Sequence, residues 1–189
     1  MRFPTILGQI VDMLERTDVP YMITGSIASS LHGEPRATRD VDVVIDPGPD
    51  ELERLLDEIS RASLYVDLDS ARTALRERGQ FNAIDGSGGW KVDFVVRKDR
   101  PFSRTEFDRR QRAELLGRSA WVASPEDMIV AKLEWAALTT SDRQLTDVAV
   151  MLTVGAGTLD IAYVSYWVAE LGLHQGWSRV QSSANHETP

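Results

Sequence analysis

Residues 40–45 read Asp-Val-Asp-Val-Val-Ile, a β-branched segment that predicts a strand with two acids at its beginning. Side chains at i and i+2 of a strand point to the same face, so Asp40 and Asp42 project together while Val41 and Val43 face the other way. Two neighbouring carboxylates repel each other unless a cation lies between them. Oxygen ligands of this kind suit Mg²⁺ or Mn²⁺, so the segment predicts a cation site.

A third acid lies in a second strand-like segment. Asp93 is the one acid of the run Trp90–Val96, where a lone charge is unfavourable if it is buried. If this strand pairs beside the Asp40 strand, three carboxylates converge in the geometry of a two-metal site. Solvated strand edges for Asp40 and Asp42, and an exposed edge-strand charge for Asp93, remain as alternatives.

The residues before the acidic motif separate it from other Asp-x-Asp motifs. Haloacid-dehalogenase-type phosphatases and Asp-x-Asp glycosyltransferases place an apolar strand before the first acid. Here residues 36–39 read Arg-Ala-Thr-Arg, and the apolar run follows the acids. The acids therefore open the strand, which disfavours both classes.

Gly25 and Ser26 stand between the apolar residues 21–23 and the helix-like residues 27–31, a pattern that predicts strand, tight turn and helix. A glycine at such a turn lets the backbone approach a ligand, and the first N–H groups of the helix can bind an anion such as a triphosphate. Ser26 adds a hydroxyl donor. A simple helix N-cap explains the same two residues.

The remaining pattern predicts an α+β fold. Residues 86–89 read Gly-Ser-Gly-Gly and indicate a hairpin between residues 81–85 and 90–96. Ser124 before Pro125 indicates a helix N-terminus. Trp121, Trp135 and Trp167 fall at positions typical of a core. We expect helices over residues 3–16, 50–64, 70–78, 103–110, 125–138, 142–152 and 159–171, a small β pair over 113–116 and 119–122, and a frayed tail from Ser178.

Composition excludes several classes of protein. The 189 residues carry a net charge of −8, which argues against non-specific coating of nucleic acid. The chain has no cysteine, which excludes disulfides, zinc fingers and thiol nucleophiles. No apolar run approaches the roughly 18 residues of a membrane span, and the first residues lack the layout of a signal peptide. We therefore expect a cytoplasmic protein with no membrane contact.

The charge is unevenly distributed along the chain. Residues 91–118 contain nine basic and five acidic side chains, a net charge of +4, which leaves −12 for the rest. One interpretation is an acceptor surface for tRNA or another phosphate-rich partner beside the acidic motif. The other is a solvated loop and helix.

The order of these motifs resembles the DNA polymerase β-type nucleotidyltransferase superfamily, and within it the AbiEii-like group of bacterial toxin nucleotidyltransferases and related minimal nucleotidyltransferases. The matching residues are Gly25-Ser26, Arg36, Thr38, Arg39, Asp40, Asp42 and Asp93, followed by Ser124–Asp127, Lys132-Leu133, Asp142-Arg143 and Thr146-Asp147. The last motif has Leu145-Thr146 where the group has a basic residue beside the acid. Full-length toxins of the group are longer than this chain.

The resemblance implies a nucleotidyltransferase fold, with a mixed sheet flanked by helices and then a small C-terminal helical bundle. The implied parts are a core over 1–123, a helical region over 124–175 and a flexible tail over 176–189. Asp40, Asp42 and Asp93 would hold two Mg²⁺ or Mn²⁺ ions, with Asp93 as ligand or base. Nucleotide binding would fall to a set of six residues: Gly25, Ser26, Arg36, Arg39, Lys132 and Asp147.

The implied activity is transfer of NMP from an NTP to a hydroxyl of an RNA or protein acceptor. The implied setting is a toxin–antitoxin pair with a cognate antitoxin. A catalytically inactive module of the same fold, acting by binding or as an antitoxin, is the alternative. A metal-dependent phosphohydrolase is a third hypothesis, which release of free phosphate would distinguish.

Overall fold

One mixed β-sheet organises the first two thirds of the chain. The structure is a computed structural model that describes residues 3–32, 38–86, 88–139 and 141–184. Within these ranges the sheet has seven strands. They are β1 (Tyr21–Thr24), β2 (Asp40–Ile45), β3 (Tyr65–Val66), β4 (Gln80–Asp85), β5 (Trp90–Val96), β6 (Gln111–Leu115) and β7 (Arg118–Val122).

Helices precede, connect and follow the strands. In the described ranges they are α1 (Phe3–Arg16), α2 (Gly25–His32), α3 (Pro49–Arg61), α4 (Leu68–Glu77), α5 (Pro101–Asp108), α6 (Pro125–Thr139), α7 (Asp142–Val154), α8 (Ile161–Glu170) and α9 (His174–Ala184). No helix in this part of the chain is long and apolar enough to cross a membrane. The predicted α+β class is confirmed.

The strand order places the acidic motif at the centre of the sheet. The order is β3-β4-β5-β2-β1-β7-β6, with β2 antiparallel to β1 and parallel to β5. The predicted hairpin of β4 and β5 and the predicted pair of β6 and β7 are both present as antiparallel pairs. The two-residue strand β3, which no sequence pattern indicated, pairs with β4. The strand of Asp93 therefore lies directly beside the strand of Asp40.

Alternation along β2 gives the sheet an apolar face and a polar face. Val41, Val43 and Ile45 are fully buried, whereas Asp40 is exposed and Asp42 is half-buried. The same alternation runs through β5, where Val92, Phe94 and Val96 are buried and Lys91 and Asp93 are partly exposed. The period-2 pattern of the sequence thus places both pairs of charged residues on one face.

The chain divides into two compact units. The first comprises residues 3–27 and 38–123 of the described chain and contains the whole sheet. The second comprises residues 28–32 and those from Ser124 onward, including α6 to α9. The predicted N-terminus of α6 is confirmed: the Asp127 backbone N–H donates to Ser124 Oγ at 3.2 Å, and Pro125 is the first helical residue.

Two expectations for the second unit were wrong. Where the sequence predicts a frayed tail from Ser178, helix α9 runs on to Ala184, because Trp177 and Val180 are buried on one side of the helix. Trp135 is 54% exposed rather than in the core, whereas Trp167 is buried as expected. Helix α6 is apolar on nearly all sides, so its sequence could not indicate which residue faces outward.

Candidate active site

The polar face of the sheet brings the three predicted acids onto two neighbouring strands. Asp42 and Asp93 are direct partners in the parallel pair of β2 and β5, and Asp40 is the partner of Lys91. Neighbouring strands are about 4.8 Å apart, so partner side chains on one face are close neighbours. The register therefore places the Asp42 and Asp93 side chains next to each other. Asp40 lies on the same face of β2, two residues before Asp42.

The carboxyl of Asp42 has a raised pKa. Burial raises the pKa of its carboxyl, and the negative charges of Asp93 and Asp40 raise it further. The backbone N–H of Ser26 donates a hydrogen bond to the carboxylate, and the nearby Lys91 ammonium attracts it; both effects lower the pKa, but the increase prevails. A partly buried acid between two others is a position where a cation would be stabilised.

Gly25 makes the close approach that the sequence predicted. Its φ is +64°, the left-handed region that favours glycine, at the point where β1 ends and α2 begins. A Cβ at this position would overlap the Asp42 carboxylate. The absence of a side chain at Gly25 thus allows the carboxylate to lie against the backbone of the strand-to-helix turn.

Residues 38–40 lead into the site. Thr38 Oγ1 accepts a hydrogen bond from the Asp40 backbone N–H at 3.1 Å, and the Arg39 carbonyl accepts one from Lys91 at the same length. The Arg39 guanidinium lies near Gly89, at the turn between β4 and β5. Arg36 lies outside the described residues. The nucleotide contacts predicted for both arginines stay predictions.

Lys91, which belongs to none of the sequence motifs, is a cation on this face. Its Nζ lies 2.8 Å from Asp93 Oδ2. This hydrogen bond raises the pKa of Lys91, and the charges of Asp93, Asp40 and Asp42 add to the effect. The signal was present in the sequence, because residues 91 and 93 are two apart on one strand and share a face.

The donor chemistry of the face fits a divalent cation. In the described ranges, no group of three or more acidic, histidine or cysteine side chains is gathered tightly enough to hold a metal by itself. Mg²⁺ does not require such a cage, because it is usually bound by one or two carboxylates together with substrate phosphates and water. Adjacent Asp42 and Asp93, with Asp40 on the same face, supply that kind of partial ligand set.

Lys132 and Asp147, both predicted to bind nucleotide, are paired with each other in the second unit. Lys132 Nζ lies 2.7 Å from Asp147 Oδ2 and 3.0 Å from Gln144 Oε1. Both charged side chains are largely buried. The pair joins α6 to α7, and a nucleotide contact for either residue stays a prediction.

The basic segment 91–118 is largely engaged in intramolecular ion pairs. At least five of its nine cations have carboxylate partners: Lys91 with Asp93, Arg97 with Asp46, Arg104 with Asp99, Arg112 with Glu15 and Arg118 with Asp12. Arg110 lies over the rings of Phe107 and Trp121. Charges that are separated along the sequence are therefore paired in the fold.

Solved structures with a similar fold share this architecture. The antibiotic-resistance factor ANT(2″)-Ia, whose structure was determined in solution, matches over 97% of both chains with a TM-score of 0.63 and 16% identity. The chain has the nucleotidyltransferase fold. An antigenic nucleotidyltransferase-like protein from Paracoccidioides brasiliensis matches 96% of this chain with 91% of its own, with a TM-score of 0.60 and 16% identity.

A third similar structure is the lincosamide antibiotic adenylyltransferase LnuA with bound lincomycin. It matches 79% of this chain with 96% of its own, with a TM-score of 0.53 and 13% identity. ANT(2″)-Ia has also been solved with adenylyl-2″-tobramycin. No protein-family model and no curated protein sequence matches the chain. The AbiEii-like subgroup stays a prediction.

Replacing Gly25 by alanine should reduce the stability of the fold. The left-handed backbone disfavours alanine by about 1–2 kcal/mol, and the overlap with Asp42 adds to this loss. Gly117→Ala is the matched control, because Gly117 has a φ of +80° but open space around a Cβ. Urea denaturation should show a clearly larger loss for Gly25→Ala, and equal losses would contradict the close contact.

Asp42→Asn should stabilise the metal-free protein near neutral pH. Folding raises the pKa of the Asp42 carboxyl. The carboxyl therefore stabilises the folded state at pH values below its pKa in the unfolded chain. This stabilisation is lost as the pH rises through the pKa of Asp42 in the folded protein. Asparagine keeps an acceptor for Ser26 and removes the charge. We expect the variant to exceed the wild type in stability at about pH 7 and to lose this advantage towards about pH 4.

Urea denaturation in EDTA across this pH range measures the effect. Asp99→Asn is the control with the opposite sign, because Arg104 lowers the pKa of Asp99 and the carboxylate therefore stabilises the fold at neutral pH. A loss of stability in Asp42→Asn at neutral pH would show that the burial and repulsion at Asp42 are compensated in the free protein.

Asp147→Ala should be strongly destabilising. Removing one partner of a buried ion pair leaves the other charge uncompensated, which lowers the free energy of unfolding by about 3–5 kcal/mol. Asp142→Ala is the matched control on the same helix, because its pair with Arg179 is exposed and should contribute about 1 kcal/mol or less. Similar losses in the two variants would mean that the Lys132 charge is solvated without Asp147.

Proposed function

We propose that the protein is a divalent-metal-dependent nucleotidyltransferase that transfers NMP from an NTP to a hydroxyl group and releases pyrophosphate. The observation that supports this most directly is the in-register pairing of Asp42 and Asp93 beside the positive-φ turn at Gly25. Phosphoryl transfer depends on positioning and charge neutralisation more than on covalent catalysis. The nucleotidyltransferase fold supports the same reaction class.

Each residue of the site has a proposed role. Asp40 and Asp42 would hold Mg²⁺ or Mn²⁺, with Asp93 as the third ligand. Bound metal would neutralise the charge that develops on the attacking and leaving oxygens. Gly25 and Ser26 would approach the β- and γ-phosphates, where the first N–H groups of α2 favour an anion. Arg36, Arg39, Lys132 and Asp147 remain proposed nucleotide contacts.

The reaction replaces the phosphoanhydride bond between the α- and β-phosphates of the NTP with a phosphoester bond to the acceptor. The acceptor oxygen forms a bond to the α-phosphorus, the bond from that phosphorus to the bridging oxygen breaks, and pyrophosphate leaves with the electron pair. Asp93 is proposed to accept the proton of the acceptor hydroxyl, which requires the carboxylate to be released from Lys91.

The order of the strands suggests where the acceptor binds. Gly25 follows β1 on one side of Asp42, and Asp93 lies on β5 on the other side. Attack in line with the leaving group places acceptor and pyrophosphate on opposite sides of the α-phosphorus. The acceptor would therefore lie over β5 and β4, where exposed Asn82 is the partner of Asp93 and Ile84 is the partner of Lys91.

This part of the sheet favours a small hydroxylated acceptor. Tyr65, which is 66% exposed, is the partner of Ile84, so amide, aliphatic and phenol groups follow the acids across the sheet. At least five of the nine cations of segment 91–118 have carboxylate partners within the chain, which reduces the positive charge offered to RNA. LnuA, with its bound lincomycin, is a structural relative that takes a small molecule. An RNA or protein acceptor, the toxin–antitoxin setting and the cytoplasmic location stay predictions.

Labelled nucleotides test the activity. The full chain is incubated with each α-labelled NTP, Mg²⁺ or Mn²⁺, and three separate acceptor pools, namely a small-molecule extract, total RNA and soluble protein. We expect Asp42→Asn and Asp40→Asn to reduce labelling and pyrophosphate release at least about a hundredfold, because both remove a metal ligand. Asp99→Asn, an acid-to-amide change at an exposed ion pair, should retain activity.

Each outcome discriminates between hypotheses. Labelling that persists unchanged in both active-site variants would contradict the assignment of the acids. Release of free phosphate instead of pyrophosphate would indicate a phosphohydrolase. Metal-dependent NTP binding without transfer to any pool would favour the inactive binding module. The ion pair of Lys91 with Asp93 is the observation that supports this alternative, because it engages a proposed metal ligand.

A further inference from the structure

Lys91 lies among the three acids of the candidate site. It is the direct partner of Asp40 across the β2 and β5 pair, and it precedes Asp93 by two residues on the same face. Its Nζ lies 2.8 Å from Asp93 Oδ2. The ammonium therefore binds a carboxylate oxygen of Asp93 that would otherwise be available to a metal ion.

The charges of this face require such a cation. Asp40, Asp42 and Asp93 contribute up to three negative charges to two adjacent strands, and Lys91 contributes one positive charge. A lysine ammonium is a compact charge with three donors on a flexible stem, so it can compensate carboxylates without a fixed geometry. Lys91 therefore adds a positive charge to the stabilisation that Asp42 receives from the Ser26 backbone N–H.

The pair is exposed enough to be broken. The Lys91 side chain is 42% exposed and the Asp93 side chain is 26% exposed. Ion pairs at this degree of exposure are weak, so a divalent ion can displace the ammonium. The four-carbon stem lets the charge move towards solvent while the strand stays in place.

We propose that Lys91 is an internal counterion that competes with the divalent metal for Asp93. This proposal rests on the proposed function, because it concerns the metal ligands of the same site. Lys91 would hold the acids together in the free protein and weaken the binding of metal alone. Metal would bind well only when nucleotide phosphates complete its ligands, so that metal and nucleotide enter together.

The experiment measures Mn²⁺ binding to the purified full chain without nucleotide, by the electron paramagnetic resonance signal of free Mn²⁺. We expect Lys91→Gln to bind Mn²⁺ about two- to fivefold more tightly than the wild type, because the competing charge is removed. Lys91→Arg, which keeps the charge, should bind Mn²⁺ more weakly than Lys91→Gln. Lys98→Gln is the matched control, since it changes net charge equally at an exposed residue just beyond β5.

A second readout separates competition from general effects on folding. In EDTA the melting temperature of Lys91→Gln should fall below that of the wild type, and saturating Mn²⁺ should raise it more than it raises the wild type. Lys98→Gln should show neither change. Lys91→Met, which keeps the apolar stem, should behave like Lys91→Gln if charge rather than packing is responsible.

The outcomes distinguish this proposal from the proposed function. If Asp42→Asn weakens Mn²⁺ binding while Lys91→Gln binds no more tightly than the wild type, the counterion role is overturned and the metal site stands. If neither the wild type nor Lys91→Gln binds Mn²⁺, even with a non-hydrolysable NTP analogue, both proposals are overturned. If Lys98→Gln also binds Mn²⁺ more tightly than the wild type, the change in net charge alone explains the effect. This result would overturn the proposed role of Lys91.

Discussion

Repulsion between carboxylates on two paired strands is the constraint around which the candidate site is built. The register of β2 and β5 makes Asp42 and Asp93 direct partners, and burial of Asp42 strengthens the repulsion. The apolar faces of the same strands are fully buried, which holds the register, because a shift by one residue would bring the acids into the core. The sheet thus keeps together groups that would otherwise separate.

The free protein offsets part of this repulsion with groups from its own backbone and side chains. The Ser26 N–H at the start of α2 donates to Asp42, and Lys91 pairs with Asp93. Both contacts lie where the proposed reaction needs metal and phosphate. The contacts that stabilise the free protein therefore use the same atoms that would bind metal and phosphate in the proposed reaction. Such a conflict between stability and function is common at sites with perturbed carboxyl groups.

Local periodicity made much of this structure predictable. The alternation in β2 predicted the shared face of Asp40 and Asp42, and the turn residues predicted the hairpin of β4 and β5. The parallel pairing that brings Asp93 beside them was only a condition of the prediction, because no local pattern links β5 to β2. Partners distant in sequence were not predictable: Lys132 meets Asp147 only when α6 and α7 pack together. The same holds for α9, whose polar sequence conceals the buried Trp177 and Val180. The composition of residues 91–118 suggested a basic surface. The fold instead pairs several of these cations with acids of α1 and of other elements, and such pairs cannot be predicted from composition.

The position of β1 between β2 and β7 has a consequence for synthesis of the chain. β1 is complete by Thr24, yet its parallel partner β7 ends only at Val122. The ion pairs of Glu15 and Asp12 in α1 likewise form only with Arg112 and Arg118, which are 97 and 106 residues further along. During translation one edge of a central, apolar strand therefore remains open until nearly two thirds of the chain has been made. Contacts this distant slow folding, and an open edge invites pairing with other chains.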